Sequence, residues 1–281
     1  MNCSITVWCT ETTSLLRDAS DAPELDTAWL IEHVTGFTRA QQRADSSLSL
    51  TSEQLHQLNA LRQRRIQGEP LAYILQVAHF WTLKLKVSPA VLIPRPETEL
   101  VVERSLHHLP KKQMSVLDLA TGSGAIALAI ASERPKCKVF ACDVSEDALA
   151  VARENSLQLN LSNIEIQRSD WFGAIHGQRF DIIVSNPPYI AVDDPNVQTE
   201  VRVYEPHLAL FAGADGLSAI QIIVHQAPHY LNKGGWLILE HGWQQATKVQ
   251  ELLESRGFDS VASHIDLAGH LRVTEARYSS T

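Results

Sequence analysis

Apolar residues recur at two different periods along this chain of 281 residues, and the change of period divides it. From residue 11 to about 75, Leu25, Trp29, Leu30 and Val34, then Leu55, Leu58, Leu61 and Ile66, fall mostly three or four apart. That spacing places side chains on one face of a helix, so residues 1–75 are expected to form a small helical domain. Thr51 and Gln54 stand at capping-box spacing, Leu50 and Leu55 flank them as a hydrophobic staple, and Gly68 with Pro70 closes the helix. Arg62, Arg64 and Arg65 crowd its end and read as a solvated face more than as a docking site. Between Phe80 and Ile93 the period drops to two: Trp81, Leu83, Leu85 and Val87 alternate with Thr82, Lys84, Lys86 and Ser88. This is the pattern of a half-exposed hairpin, and residues 76–94 are read as a β-hairpin linker.

Residues 95–281 change character again. After Pro94-Arg95-Pro96 a helix is expected, with Pro96 in its first turn and Glu97 and Glu99 near its positive end. Beyond Ser115, short strand-like runs at 116–119, 139–143, 164–167, 181–184 and 236–239 alternate with helices starting near Ala125, Glu146, Leu217 and Gln244. Such alternation predicts an α/β fold, a mainly parallel sheet with helices on both faces. The last runs, 261–265 and 272–278, are joined through Leu267-Ala268-Gly269-His270, too short for a crossover helix, so the final strand is expected to be antiparallel.

Composition narrows the function. With 44% hydrophobic residues the chain can bury one sizeable core and a smaller second one. A formal net charge of −8 gives no global basic field, which argues against a grip on nucleic acid through phosphate charge. Cys3, Cys9, Cys137 and Cys142 lack metal-ligand spacing and read as free thiols in a reducing compartment. No segment approaches the roughly 20 apolar residues of a membrane span and no leader pattern opens the chain, so a cytoplasmic, monomeric protein is expected. The 12 histidines form no H-E-x-x-H or similar metal pattern, and no Ser-His-Asp set stands out.

The candidate chemistry lies where strands end. Ile182-Ile183-Val184 reads as a buried strand leading into Ser185-Asn186-Pro187-Pro188-Tyr189. Ligands of open α/β sheets gather at such carboxyl ends. Two prolines stiffen the loop and remove two N–H donors, leaving the Asn186 side-chain oxygen and the Pro187 carbonyl as acceptors suited to an NH2 group. Asn-Pro is equally a common turn signal. Asp118-Leu119-Ala120-Thr121-Gly122-Ser123-Gly124 joins the first strand to its helix, where small residues let a ligand approach backbone N–H groups. It has no phosphate-loop Lys-Ser/Thr ending, and Ala127 replaces the third glycine of a dinucleotide fingerprint. Asp143 ends the second strand, where a carboxylate accepts from ribose hydroxyls. Asp170 and Trp171 end the third, offering an acceptor for an exocyclic amine and an apolar face for a base. Together these suit a cationic nucleoside without phosphate, S-adenosyl-L-methionine.

On these residues the sequence resembles the HemK/PrmC family of S-adenosylmethionine-dependent protein-(glutamine-N5) methyltransferases. The resemblance rests on Gly68-Glu69-Pro70-Leu71-Ala72-Tyr73, Ile93-Pro94-Arg95-Pro96-Glu97-Thr98-Glu99, the glycine turn, the Asn-Pro-Pro-Tyr loop and Tyr204-Glu205-Pro206. Gly234-Gly235-Trp236, Glu240-His241-Gly242 and Asp266-Leu267-Ala268-Gly269-His270 complete it. Asn-Pro-Pro-Tyr is shared by several amino-methylating families, whereas the Ile-Pro-Arg-Pro-Glu-Thr-Glu segment is more specific. The resemblance implies a Rossmann-like methyltransferase sheet and an acceptor glutamine in the Gly-Gly-Gln motif of class I peptide chain release factors, with a role in translation termination. Carried over by position, Ala120, Thr121, Gly122, Ser123, Gly124, Asp143, Asp170, Trp171 and Asn186 would hold the cofactor. Asn186, Pro187, Pro188 and Tyr189 would hold the glutamine, with Asn186, Pro187 and Tyr189 catalytic. The family usually has Gly where this chain has Ala120, a change expected to be tolerated unless the turn needs a positive φ there. The rival readings are N6-adenine or N2-guanine methylation of nucleic acid, methylation of a ribosomal-protein glutamine, a non-catalytic cofactor-binding scaffold and a nucleotide-dependent oxidoreductase. Glu205 and His207 read as a surface turn more than as a gate for the substrate, and His241 as site lining or a satisfied core residue.

Overall fold

The computed structural model describes residues 3–45, 47–110 and 112–279. Two compact units emerge: Met1–Val77 with Thr199–Tyr204, and Ala78–Gln198 with Glu205–Thr281. In the first, β1 (Cys3–Ser4), α1 (Ile5–Leu15), α2 (Pro23–Thr35), α3 (Arg39–Ala44), β2 (Ser49–Leu50), α4 (Ser52–Ile66) and α5 (Leu71–Leu75) pack around Ile5, Trp8, Leu30, Ile31, Leu58 and Ile74. α1 starts earlier than the residue-11 boundary expected from periodicity, because Ile5, Trp8 and Thr12 already form its buried stripe. The capping box of α4 is present: Thr51 Oγ1 accepts from the Gln54 N–H at 3.2 Å, and Gln54 Oε1 accepts from the Thr51 N–H at 3.0 Å.

The arginine cluster is not a solvated face. Arg62 and Arg65 sit three apart, so both turn to the inner side of α4. Arg65 is 7% exposed, donating to Asp26 at 2.8 Å and to Glu200 at 3.1 Å. Arg62 reaches the Thr12 hydroxyl at 3.3 Å and lies 5.7 Å from the Trp8 ring centre. Arg64 grips Glu69 through two donors.

The second unit opens with a hairpin, β3 (Val77–Phe80) and β4 (Leu83–Lys86), followed by a 3-10 turn (Pro96–Thr98) and α6 (Glu99–His108). The expected alternation follows: β5 (Ser115–Leu119), α7 (Ala125–Glu133), β6 (Lys138–Asp143), α8 (Glu146–Gln158), β7 (Ile164–Arg168) and β8 (Phe180–Ser185). After α9 (Thr199–Tyr204), which belongs to the helical unit, come α10 (Ser218–Gln226), β9 (Leu231–Glu240), α11 (Ala246–Ser255), β10 (Phe258–Ile265) and β11 (Leu271–Tyr278). The seven strands lie in the order β10-β11-β9-β8-β5-β6-β7. β5 to β9 run parallel and β11 is antiparallel to both its neighbours. Both faces of the sheet are covered, which is why its strands read as continuous apolar runs. Ile182 and Val184 join Val101, Ile126 and Ile130 on one face, whereas Ile183 joins Leu117, Ile220 and Val249 on the other. Cys9, Cys137 and Cys142 are free thiols.

This order places the site. The chain steps outward from β5 to β6 and β7, then returns to lay β8 on the other side of β5. The turn leaving β5 and the loop leaving β8 therefore diverge at a topological switch point, where a crevice opens above the strand ends.

Candidate active site

One wall of the crevice is backbone. Ala120 (φ 55), Gly122 (φ 57) and Gly124 (φ 85) are all left-handed, bending the chain sharply out of β5 and into α7. A Cβ on Gly122 would meet nothing within 4 Å, whereas one on Gly124 would lie 2.8 Å from Leu128 Cδ1 and 3.3 Å from Ala152 Cβ. The first glycine therefore faces open space and the second lets α7 pack. Ala120 does take a positive φ, a conformation that costs an L-residue about 1–2 kcal/mol. Beneath the turn, Asp118 Oδ2 accepts from the Thr121 hydroxyl at 2.6 Å and the Ala127 N–H at 3.2 Å, and burial pushes its pKa up to about 7. Asp143 accepts from the Gly122 N–H at 2.9 Å and the Ser145 N–H at 3.0 Å. Burial raises its pKa, against the pull of those donors. Trp171 (φ 47) is a second left-handed residue without glycine's freedom.

The opposite wall is made of side chains. Ser185 pairs with Leu119 across the switch point and donates its hydroxyl to the Leu119 carbonyl at 2.7 Å. Asn186 Nδ2 donates to Thr98 Oγ1 at 3.0 Å, and Oδ1 has no partner among the described residues. The Tyr189 hydroxyl donates to Glu240 Oε1 at 3.0 Å. Glu240 is 1% exposed, and burial raises its pKa to about 7 while the Thr98 and Tyr189 hydroxyls and Arg272 favour its charged form. The loop is braced from behind: Gln245 Nε2 donates to the Tyr189 carbonyl at 3.0 Å, and Gly216 passes so close that a Cβ there would lie 2.2 Å from that oxygen.

Between the walls lies a cavity of about 490 Å³, within the range of small-molecule sites. Ala120, Thr121, Gly122, Ser123, Asp143, Asp170, Trp171, Asn186 and Pro188 line it, whereas Gly124, Pro187 and Tyr189 stand outside its lining. Among its described lining residues there is no Lys or Arg, and two carboxylates are present. Such a lining fits a cationic sulfonium nucleoside and offers no charged grip for phosphate.

A family profile described as Methyltransferase small domain matches residues 99–205, and one described as PrmC N-terminal domain matches residues 8–75. The Escherichia coli (strain K12) protein named release factor glutamine methyltransferase is 46% identical over 271 residues, 96% of this chain and 98% of that one. Its Yersinia pestis namesake is 47% identical over 260 residues, 92% of this chain and 94% of that one. The chain belongs to the release factor glutamine methyltransferase family. Members of this family are S-adenosylmethionine-dependent, and the chain is a protein-(glutamine-N5) methyltransferase. A crystal structure of a methyltransferase from Pyrococcus furiosus superposes with a TM-score of 0.54 at 19% identity, covering 82% of this chain and 100% of that one, which shows the shared fold.

Several participants escape sequence reasoning about this methyltransferase. Thr98 lies inside the Ile-Pro-Arg-Pro-Glu-Thr-Glu segment, whose pattern assigns it no role, and Glu240 gives no signal beyond being a polar strand end. Glu205 is not part of a surface turn: it is 4% exposed, accepts from the Ile93 N–H at 3.1 Å and pairs with Arg95, pinning the segment that carries Thr98. His241 is a satisfied core residue, its ring nitrogens 2.7 Å from Thr274 Oγ1 and 2.9 Å from the Gly242 carbonyl.

Proposed function

We propose that this enzyme methylates the side-chain amide nitrogen of the glutamine in the Gly-Gly-Gln motif of class I peptide chain release factors, with Asn186 as the residue that presents the acceptor. The observation that carries this reading is the spent Nδ2 of Asn186: with that group tied to Thr98, the side chain offers an acceptor, Oδ1, to the cavity that it lines together with the glycine turn.

S-adenosylmethionine supplies an electrophilic methyl group on a sulfonium sulfur. The turn at 120–124, Asp143 toward the ribose and Asp170 with Trp171 toward the adenine would hold it. A carboxamide nitrogen is a weak nucleophile, since its lone pair is delocalised into the carbonyl, so orientation must do much of the work. Asn186 Oδ1 and the Pro187 carbonyl accept the two N–H bonds, fix the nitrogen and stabilise the positive charge it gains on attack. Tyr189, held by Glu240, closes the back of the loop and keeps water from the amide. As the N–C bond forms and the methyl–sulfur bond breaks, the nitrogen releases one proton to bulk water, giving the N-methyl amide and a neutral thioether.

In this reading the enzyme acts as a cytoplasmic monomer without touching nucleic acid, supported by its net charge of −8 and by the absence of basic residues from the described lining. No described helix is long and apolar enough to cross a membrane. The test is transfer of labelled methyl to a purified class I release factor and to its Gln→Ala version. Label confined to the glutamine form is expected. Label on both, or on neither while cofactor binds, overturns the reading.

A further inference from the structure

The Asp266-Leu267-Ala268-Gly269-His270 segment forms the turn between β10 and β11 and takes no part in the lining of the cavity. Its shape is held from within. The Asp266 carboxylate accepts from the Ala268 and His270 N–H groups, both at 2.9 Å, while the Asp266 N–H donates to the His270 carbonyl at 2.8 Å and the Gly269 N–H to the Asp266 carbonyl at 3.0 Å. Gly269, at φ 84, supplies the left-handed residue that closes the turn. Arg272 reaches Asp266 from β11 at 3.4 Å. What this braced backbone carries outward is a leucine: Leu267 is fully exposed. Beside it Ile265 and Trp243 are each more than half exposed, Leu271 is exposed as well, and the Trp243 ring lies 5.5 Å from that of His270. Exposed apolar residues scattered singly are ordinary, whereas four around one ordered turn mark a surface that meets another molecule.

The place of the turn decides what that molecule is. Ser185 stands opposite Leu239, and Glu240 opposite Val273, so the start of β11 lies level with the carboxyl ends of β8 and β9. The turn therefore projects from the same edge of the sheet as the Asn186 loop. Only β9 separates β8 from β11, which puts them about 10 Å apart at two strand spacings. A protein docked over a standard interface covers roughly 800 Å² of its partner, a disc about 16 Å in radius. A folded acceptor with its glutamine beside Asn186 comes down on this turn. The two regions also share a support: Trp243 belongs to the segment in which Gln245 Oε1 accepts from the Gly242 N–H at 2.8 Å and Gln245 Nε2 donates to the Tyr189 carbonyl at 3.0 Å.

We propose that this turn is a docking surface for the protein substrate, on which Leu267, flanked by Trp243, Ile265 and Leu271, anchors an apolar face of the release factor beside its Gly-Gly-Gln loop. This rests on the function proposed above and names the surface by which the enzyme takes a folded factor rather than any glutamine. A leucine presented on a turn that is already ordered loses little freedom when it is covered, so its burial goes into affinity. Charge has a small part in the contact, because Asp266 and Arg272 are spent on each other. A glutamine in a short peptide fills the cavity without reaching the turn, so the surface separates factor from peptide.

The test measures kcat and KM of wild type, Leu267→Asp, Leu267→Met and Leu157→Asp with a purified class I release factor, and kcat/KM with a short Gly-Gly-Gln peptide. α8 starts at the carboxyl end of β6 and runs back, so Leu157, exposed near its far end, lies at the opposite edge of the sheet and controls for an added charge. Leu267→Asp is expected to raise KM for the factor about 10- to 100-fold, the scale of losing a buried apolar anchor, with kcat and cofactor affinity unchanged. Leu267→Met and Leu157→Asp keep the wild-type KM, and all four enzymes use the peptide equally. An unchanged KM in Leu267→Asp, or a fall in kcat in place of a rise in KM, overturns the docking surface while leaving the function standing. A wild type that sediments as a dimer dissolved by Leu267→Asp, with KM for the factor unchanged, assigns the turn to a second copy and overturns it likewise. If the peptide takes no label, the split between KM and kcat decides alone. Wild type that binds cofactor but labels no release-factor glutamine overturns the functional reading and the docking surface with it.

Discussion

The two walls of the active site are built by opposite means. The cofactor wall is backbone shape: three left-handed residues in five positions, a glycine facing open space and another against Leu128. The acceptor wall is side-chain hydrogen bonding: Asn186 donates to Thr98 and Tyr189 to Glu240, so that the remaining polar atom of Asn186, Oδ1, is left for the cavity. A sulfonium nucleoside needs room and hydrogen-bonding edges, so backbone suffices. Selecting an amide from a carboxylate of the same shape needs direction, which an Asn186 side chain held by Thr98 provides. Substitutions in the first wall should therefore change stability and cofactor affinity, and those in the second should change turnover.

The sharpest break is Asn186→Ala, expected to lower kcat/KM by roughly 2–4 kcal/mol, about 30- to 1,000-fold, with cofactor affinity nearly unchanged. Equal losses in both quantities would erase the distinction between the walls. Asp118 comes next. Its folded pKa of about 7 lies above its ordinary value of 3.8, so its contribution to stability is full below about pH 4 and lost as pH rises through 7. Asp118→Asn should flatten the decline in unfolding free energy between pH 4 and pH 8, on the order of 3 kcal/mol, as measured by denaturant titration. Gly216→Ala should cost roughly 2 kcal/mol, since it adds a Cβ 2.2 Å from the Tyr189 carbonyl at φ 73 and must displace the acceptor loop. A variant with the wild-type melting temperature and rate would show that the loop needs no such bracing. Smallest is Ala120→Gly. Relief of the left-handed conformation outweighs the added freedom of the unfolded chain, for a net gain of about 0.5–1 kcal/mol and a slightly higher melting temperature. A loss of stability would show that the alanine methyl group contributes packing that offsets its strain.

Legibility in the sequence followed the same division. The strands of the parallel sheet, its antiparallel end and the two loops at the switch point were readable, because each is a local pattern: an apolar run, a turn residue, a cap. The Thr51–Gln54 box was visible for that reason. The positive φ at Ala120 was not, since alanine announces no such conformation, and only the family's glycine hinted at it. Glu205, Glu240 and Arg65 were misjudged or unassigned because a charged residue reads as solvated until its partner from a distant segment is known. Long-range polar pairing leaves no periodic trace.

The pairing of Leu119 with Ser185, bridged by a hydroxyl from 66 residues away, has a consequence for how the enzyme is born. A nascent chain emerging from its ribosome has the cofactor turn long before it has β8, and with β5 flanked on one side alone the crevice does not exist. Site assembly waits on that single closure of a long loop, a slow step by contact order. Chains halted before residue 185 should therefore fail to retain cofactor, and this enzyme should acquire its methyl donor late in its own synthesis.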